Sequence, residues 1–118
     1  MSYKLKNYLR THRKRAGLSQ DEMAYLLGCR SGTKISRYER FARQPNLQTA
    51  FAYEVIFRVP ARELFGGVFQ QVEHATLKRV QLLVRKLNTA NPDRMTALKL
   101  KVLRTTASAL ATEPAHHS

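Results

Sequence analysis

Two glycines eleven residues apart, Gly17 and Gly28, leave the chain between them room for one helix of about two turns and nothing longer. Ser19 and Glu22 stand at capping-box spacing inside that interval. The helix is therefore expected to open at Ser19, to bury Met23, Ala24 and Leu27 as one stripe, and to stop at Gly28. Upstream, a first helix over about Tyr3 to Ala16 carries Leu5, Tyr8 and Leu9 on one face. Arg13, Lys14 and Arg15 in its last turn suit the negative end of the helix dipole. Downstream, a link through Cys29, Arg30 and Ser31 leads to a third helix from about Gly32 to Arg40, on which Ile35 and Tyr38 share a face. Two short helices, a glycine-containing turn and a basic second helix make a helix-turn-helix pattern.

The remaining chain is also read as helical, because apolar residues recur at spacings of three and four and no strand-like alternation is sustained. Asn46 is the expected N-cap of a fourth helix reaching about Phe57, and Pro60 suits the first turn of a short fifth helix ending near Phe65. Gly66 and Gly67 mark a boundary. Beyond them Val72, Thr76, Val80, Leu83, Val84 and Leu87 describe one face of a long helix from about Val68 to Leu87. Asn91, Pro92 and Asp93 read as N-cap, first-turn proline and acidic second position of a last helix lined by Met95, Leu98, Val102 and Leu110, with a frayed end over 112–118. The expected fold class is all-α, five helices followed by two more, divided into a domain over 1–66 and a C-terminal helical extension over 67–118.

Lysine and arginine number 21 against 8 aspartates and glutamates, a net charge of +13, with a pI of about 10.6, which favours polyanionic partners. The excess is uneven: residues 1–45 carry a net +8, residues 46–74 a net −1 and residues 75–118 a net +6. Cys29 is the only cysteine, so no intrachain disulfide and no cysteine-based zinc site is possible, and it reads as a small buried filler. No apolar run spans a bilayer and no signal-peptide core is present, so the expected location is the cytoplasm, at the nucleoid. His12, His74, His116 and His117 lack metal-ligand spacing. With no phosphate-binding glycine loop, paired carboxylates or activated nucleophile, neither an enzyme nor a cofactor is expected.

Leu5, Leu9, Arg13, Gly17, Leu18, Ser19, Gln20, Met23, Ala24, Leu27, Gly28, Ile35, Ser36, Arg37, Tyr38, Glu39, Pro45, Leu47, Leu64 and Phe65 together form a distributed signature. Through it, residues 3 to 65 resemble the Xre family, the helix-turn-helix type of phage lambda repressor and Cro. The resemblance implies a lambda-repressor-like five-helix DNA-binding domain with its third helix in the major groove. It also implies an ion pair between Arg13 and Glu39 and a phosphate contact from Gln20. The chain departs from the family pattern in four places. The link from Gly28 to Ile35 is one residue longer than usual. Phe41 and Arg58 stand where glycine commonly follows the third and fourth helices, so both ends are expected to close by another geometry. Glu54 replaces a buried alanine, so either its carboxylate meets a cation or the fourth helix turns to expose it.

DNA recognition needs donors for phosphates and side chains for base edges, and both cluster between Arg30 and Arg43. Lys34 or Arg37 suits the O6 and N7 of guanine, the Thr33 methyl suits thymine, and Ser36 is a candidate for a base or a phosphate. Arg30, Arg40 and Arg43, with Gln20, are candidate phosphate contacts. Phe41 either packs on a sugar or a partner subunit or closes the loop beneath it. The C-terminal stripes either enlarge the monomer core, pair across a two-fold axis or bind a protein partner. Lys78, Arg79, Arg85, Lys86, Lys99, Lys101 and Arg104 form a solvated face or extend the DNA footprint. The expected function is a sequence-specific regulator of transcription that binds an inverted-repeat operator in double-stranded DNA as a homodimer. The alternatives are an antitoxin that represses its own promoter and a non-specific architectural DNA binder.

Overall fold

The structure, a computed structural model, describes residues 6–112, with side chains through Ala109. Among these residues there are seven helices and no strand: α1 (Leu9–Arg15), α2 (Gln20–Leu27), α3 (Gly32–Glu39), α4 (Leu47–Phe57), α5 (Ala61–Leu64), α6 (Gly66–Asn88) and α7 (Arg94–Thr112). The all-α class predicted from periodicity is what the chain adopts. Tyr3, Leu5, the side chain of Leu110 and the tail with His116 and His117 lie outside the described residues. The chain divides into two compact units, one ending at Gln70 and the other beginning at Gln71.

In the first unit, one apolar core of Leu9, Met23, Ala24, Ile35, Tyr38, Tyr53, Leu64 and Phe65 joins α1 to α5. Each large aliphatic or aromatic side chain of this core removed from water stabilises the fold by about 1.5–3 kcal/mol. Tyr53 sits at its centre, edge-on to Tyr38 and Phe65 at ring separations of 6.5 and 6.2 Å. Its hydroxyl is buried and finds no hydrogen-bond partner among the described residues, and burial pushes its pKa well up. Ser19 caps α2 in a complete capping box with Glu22, Gly28 ends that helix at φ 75°, and Asn46 caps α4 through Thr49 N–H at 2.8 Å.

Four expectations for this unit are corrected. The first helix begins at Leu9, and residues 6–8 are not helical, because the Asn7 side chain holds them in a turn. Its Oδ1 accepts from Leu9 N–H at 3.1 Å while its Nδ2 donates to Tyr38 O, and Tyr8 N–H donates to Leu64 O. Gly66 and Gly67 form the first turn of α6, which therefore begins two residues before the expected Val68. Gly67 N–H donates to Lys6 O at 3.0 Å, and a Cβ on Gly67 would fall 2.5 Å from Lys6 N. Glycine is therefore required there for contact between two backbones.

Phe41 and Arg58 do not close their helices by another geometry; they adopt the left-handed conformation themselves, at φ 64° and 59°. The cost is about 1–2 kcal/mol at each, because a Cβ crowds the following carbonyl. Glu54, finally, neither meets a cation nor turns fully outward. It is half-buried, and its Oε1 accepts from Ala61 N–H at 2.7 Å, supplying α5 with the cap that Pro60 cannot provide.

Among its described residues the second unit has no fully buried apolar side chain: no residue of α6 is buried, and of the described side chains of α7 Thr96 alone is. Val80, Val84 and Leu87 on α6 and Leu100 and Leu103 on α7 are half-buried, whereas Val72, Leu82, Leu83, Met95, Leu98 and Val102 are exposed. The single face expected on α6 therefore splits in two, and the described members of the face expected on α7, Met95, Leu98 and Val102, all stand exposed while Leu100 and Leu103 turn inward. Asp93, not Asn91, caps α7: its Oδ1 accepts from Thr96 N–H at 2.6 Å, which holds the carboxyl below its ordinary pKa. Arg104 donates to Asn88 Oδ1 at 2.6 Å.

Candidate nucleic-acid interface

The α3 helix starts at a capped and crowded junction. Ser31 adopts the extended N-cap conformation, and its hydroxyl accepts from Thr33 N–H at 3.4 Å. Gly32 N–H donates to Asp21 Oδ1 at 2.9 Å, so a carboxylate on α2 satisfies the next free donor of α3. Gly32 is itself buried, and a Cβ there would come within 2.8 Å of Asp21 Oδ1 and 2.9 Å of Gln20 Cβ. Only glycine lets the two helices meet this closely. Neither Asp21 nor the packing role of Gly32 is evident from spacing. The available signal was a glycine inside a helical pattern, which usually has a packing reason.

With Ile35, Tyr38 and Glu39 turned inward, α3 presents Thr33, Lys34, Arg37 and Arg40 to solvent and leaves Ser36 half-buried. Residues 5–59 match the family model of the helix-turn-helix domain. This segment is a helix-turn-helix domain. No curated protein and no solved structure matches the chain.

Within the helix-turn-helix domain, α2 and α3 are held to α1 by a buried charge network. Arg13 Nε donates to Glu39 Oε2 at 2.5 Å and Arg13 Nη2 to Glu39 Oε1 at 3.0 Å, a two-pronged pair whose partners are only 8 and 7% exposed. Arg13 Nη1 also donates to Leu18 O at 2.9 Å, and Gln20 Nε2 donates to Glu39 Oε1 at 3.2 Å. The hydrogen bonds that Arg13 donates to the Glu39 carboxylate raise the pKa of the guanidinium, so the arginine stays charged despite its burial. The last turn of α3 is thereby tied to α1 and to the start of α2, which fixes the angle at which the exposed face of α3 is presented.

The candidate residues fall into two groups. Gln20, Thr33, Ser36 and Arg40 line one open groove between the start of α2 and the outer face of α3, with Arg13 at its inner wall. An amide nitrogen carries two hydrogens, so the bond from Gln20 to Glu39 leaves it a second donor for a ligand in this groove. Arg40 Nε donates to Ser36 Oγ at 3.1 Å, coupling two residues that the sequence treats separately. Arg30, Lys34, Arg37 and Arg43 are exposed but do not line that groove. Arg43 follows α3 in a tight return in which Ala42 N–H and Arg43 N–H both bond Arg37 O. Cys29 is half-buried and packs against the core at the turn, and Phe41, also half-buried, follows the C-cap of α3. Among the described residues no three His, Cys, Asp or Glu side chains are grouped to hold a metal ion, and no helix is long and apolar enough to cross a membrane.

Proposed function

We propose that this chain is a sequence-specific regulator of transcription whose α3 enters the major groove of double-stranded DNA. The observation that carries the reading is the outer face of α3: Thr33, Lys34 and Arg37 stand exposed on a helix-turn-helix domain whose α3 turns Ile35, Tyr38 and Glu39 to the core and charge network. In this reading Thr33, Lys34, Ser36 and Arg37 meet base edges, and Gln20, Arg30, Arg40 and Arg43 meet phosphates. Residues 1–66 serve as the DNA-binding domain, and two copies read the halves of an inverted-repeat operator at the bacterial nucleoid. The net +8 of residues 1–45 supplies the sequence-independent part of the affinity.

Selection of sites from a random duplex pool tests this directly. The expected result is an enriched inverted repeat with half-sites about one helical turn apart. Equal and steeply salt-dependent affinity for the selected and scrambled duplexes would instead make the chain an architectural DNA binder.

A second reading has its own observation. Val72, Leu82, Leu83, Met95, Leu98 and Val102 stand exposed on α6 and α7, which supports a protein partner on these helices, as in an antitoxin that represses its own promoter. Stable co-purification with the product of an adjacent gene, abolished by Leu98→Lys, is the expected outcome for that reading.

A further inference from the structure

Helix α4 carries large apolar residues on its outer as well as its inner side, although only one side faces the core. Tyr53 is fully buried, and Ala50, Ile56 and Phe57 pack against the same core. On the other side Leu47, Phe51 and Val55 are 68, 53 and 68% exposed. A surface helix normally turns polar residues outward, so this outer apolar stripe lacks a cover. Spacings of four place the three side chains one above another at intervals of about 6 Å. The single charged residue of the helix, Glu54, is occupied in capping α5.

We propose that the outer face of α4 pairs with the same face of a second copy of this chain, and that the pairing forms when both copies sit on DNA. The inference rests on the regulator reading and adds the surface through which two bound copies touch. Three features select a second copy as the occupant. The stripe is symmetric about Phe51, so a two-fold axis there sets Phe51 against Phe51 and Leu47 of each copy against Val55 of the other, a self-complementary contact. It is also an uncharged surface on a chain of net charge +13, where two like-charged molecules approach with least repulsion. The apolar residues of α6 and α7, by contrast, are interleaved with Lys78, Arg79, Lys86 and Lys99.

Area then sets the conditions. Three partly exposed side chains offer on the order of 300 Å² per copy, less than half of the roughly 800 Å² per partner in standard interfaces and too little for a stable free dimer. DNA that holds two copies on adjacent half-sites raises their effective concentration to about the millimolar range, where so small a contact is populated. Occupation of one half-site therefore favours occupation of the second.

The full chain is titrated onto the selected inverted repeat and onto the same duplex with one half-site scrambled. The expected result is a chain that sediments as a monomer at about 10 µM yet fills the second half-site about tenfold more tightly than the first. Phe51→Glu is expected to keep the half-site affinity and to abolish that preference. A cysteine in place of Phe51, in a Cys29→Ala background, is expected to be joined between copies by a short bismaleimide on the inverted repeat and not on the single half-site. That variant decides the matter if Phe51→Glu does not fold. Unchanged cooperativity in Phe51→Glu, absence of the cross-link, or a free dimer indifferent to Phe51→Glu overturns the pairing. Sequence-specific but non-cooperative binding by the parent overturns the pairing and leaves the regulator reading intact, whereas loss of all sequence preference overturns both.

Discussion

Replacing Glu39 with alanine removes the acceptor of three hydrogen bonds at once, from Arg13 Nε, Arg13 Nη2 and Gln20 Nε2. Arg13 is then left 8% exposed, with the Leu18 carbonyl as its remaining hydrogen-bond acceptor. Breaking a buried pair by deleting one partner costs about 3–5 kcal/mol, since the other charge stays desolvated. The guanidinium lies at the edge of the core and a long side chain can swing toward water, so the lower end, about 3 kcal/mol, is the expected loss. For a domain of this size that lowers Tm by on the order of 10 °C or more. Thermal and urea unfolding followed by circular dichroism measure it. The double variant Arg13→Met/Glu39→Leu removes both charges and is expected to recover much of the loss, giving a coupling energy of about 1–3 kcal/mol in the double-mutant cycle. A Tm for Glu39→Ala within about 2 °C of the parent, less than 1 kcal/mol by the same scaling, would refute the view that this pair anchors α3.

Three further outcomes are expected. Gly32→Ala should destabilise the domain by about 1–2 kcal/mol, because the added methyl meets Asp21 and Gln20; helix propensity alone predicts a gain, so a raised urea midpoint would show that α2 and α3 have slack. Tyr53→Phe should be neutral or stabilising by about 1 kcal/mol, since it deletes a buried hydroxyl without a partner among the described residues, and a clear loss of Tm would reveal one. The carboxyls of Glu22 and Asp93 are held below their ordinary values of 4.5 and 3.8, Glu22 by the Ser19 N–H and hydroxyl and Asp93 by the Thr96 N–H and hydroxyl. Folded pKa values below unfolded ones mean that their contribution is complete above those values and is lost as pH falls through the folded ones. Glu22→Gln should therefore flatten the acid limb of stability, and an unchanged limb would remove Glu22 as a cause.

The parts of the fold readable in the sequence are those encoded by local chemistry. The capping box at Ser19, the left-handed Gly28 and the Asn46 cap each act over a few residues, and α2, the turn and α4 follow from them. Spacing does not encode contacts made across the fold. Asn7 bends residues 6–8 out of the first helix by reaching Tyr38, 31 residues away. Asp21 completes the start of α3 from α2, and Glu54 does the same for α5 from α4. Nothing in the separation of Arg13 and Glu39 points to a pair; only the family resemblance does.

Local signals also mislead where two candidates compete, as Asn91 and Asp93 do for the cap of α7. At Phe41 and Arg58 the absence of glycine suggests a different backbone, yet packing of the domain imposes the left-handed geometry and tolerates the cost. The exposed face of α3 follows from periodicity, since Ile35 and Tyr38 define its inner side. The shared groove of Gln20, Thr33, Ser36 and Arg40 needs the junction with α2, which rests on Gly32.

The central claim is that α3 reads base edges, and Arg37→Ala tests it most directly. Binding of parent and variant to the selected operator and to a scrambled duplex is compared at one salt concentration. The account predicts a loss of about 1–3 kcal/mol on the operator, relaxed preference at one base position and little change on the scrambled duplex. An equal loss on both duplexes would place Arg37 on the phosphates and contradict base reading at this position.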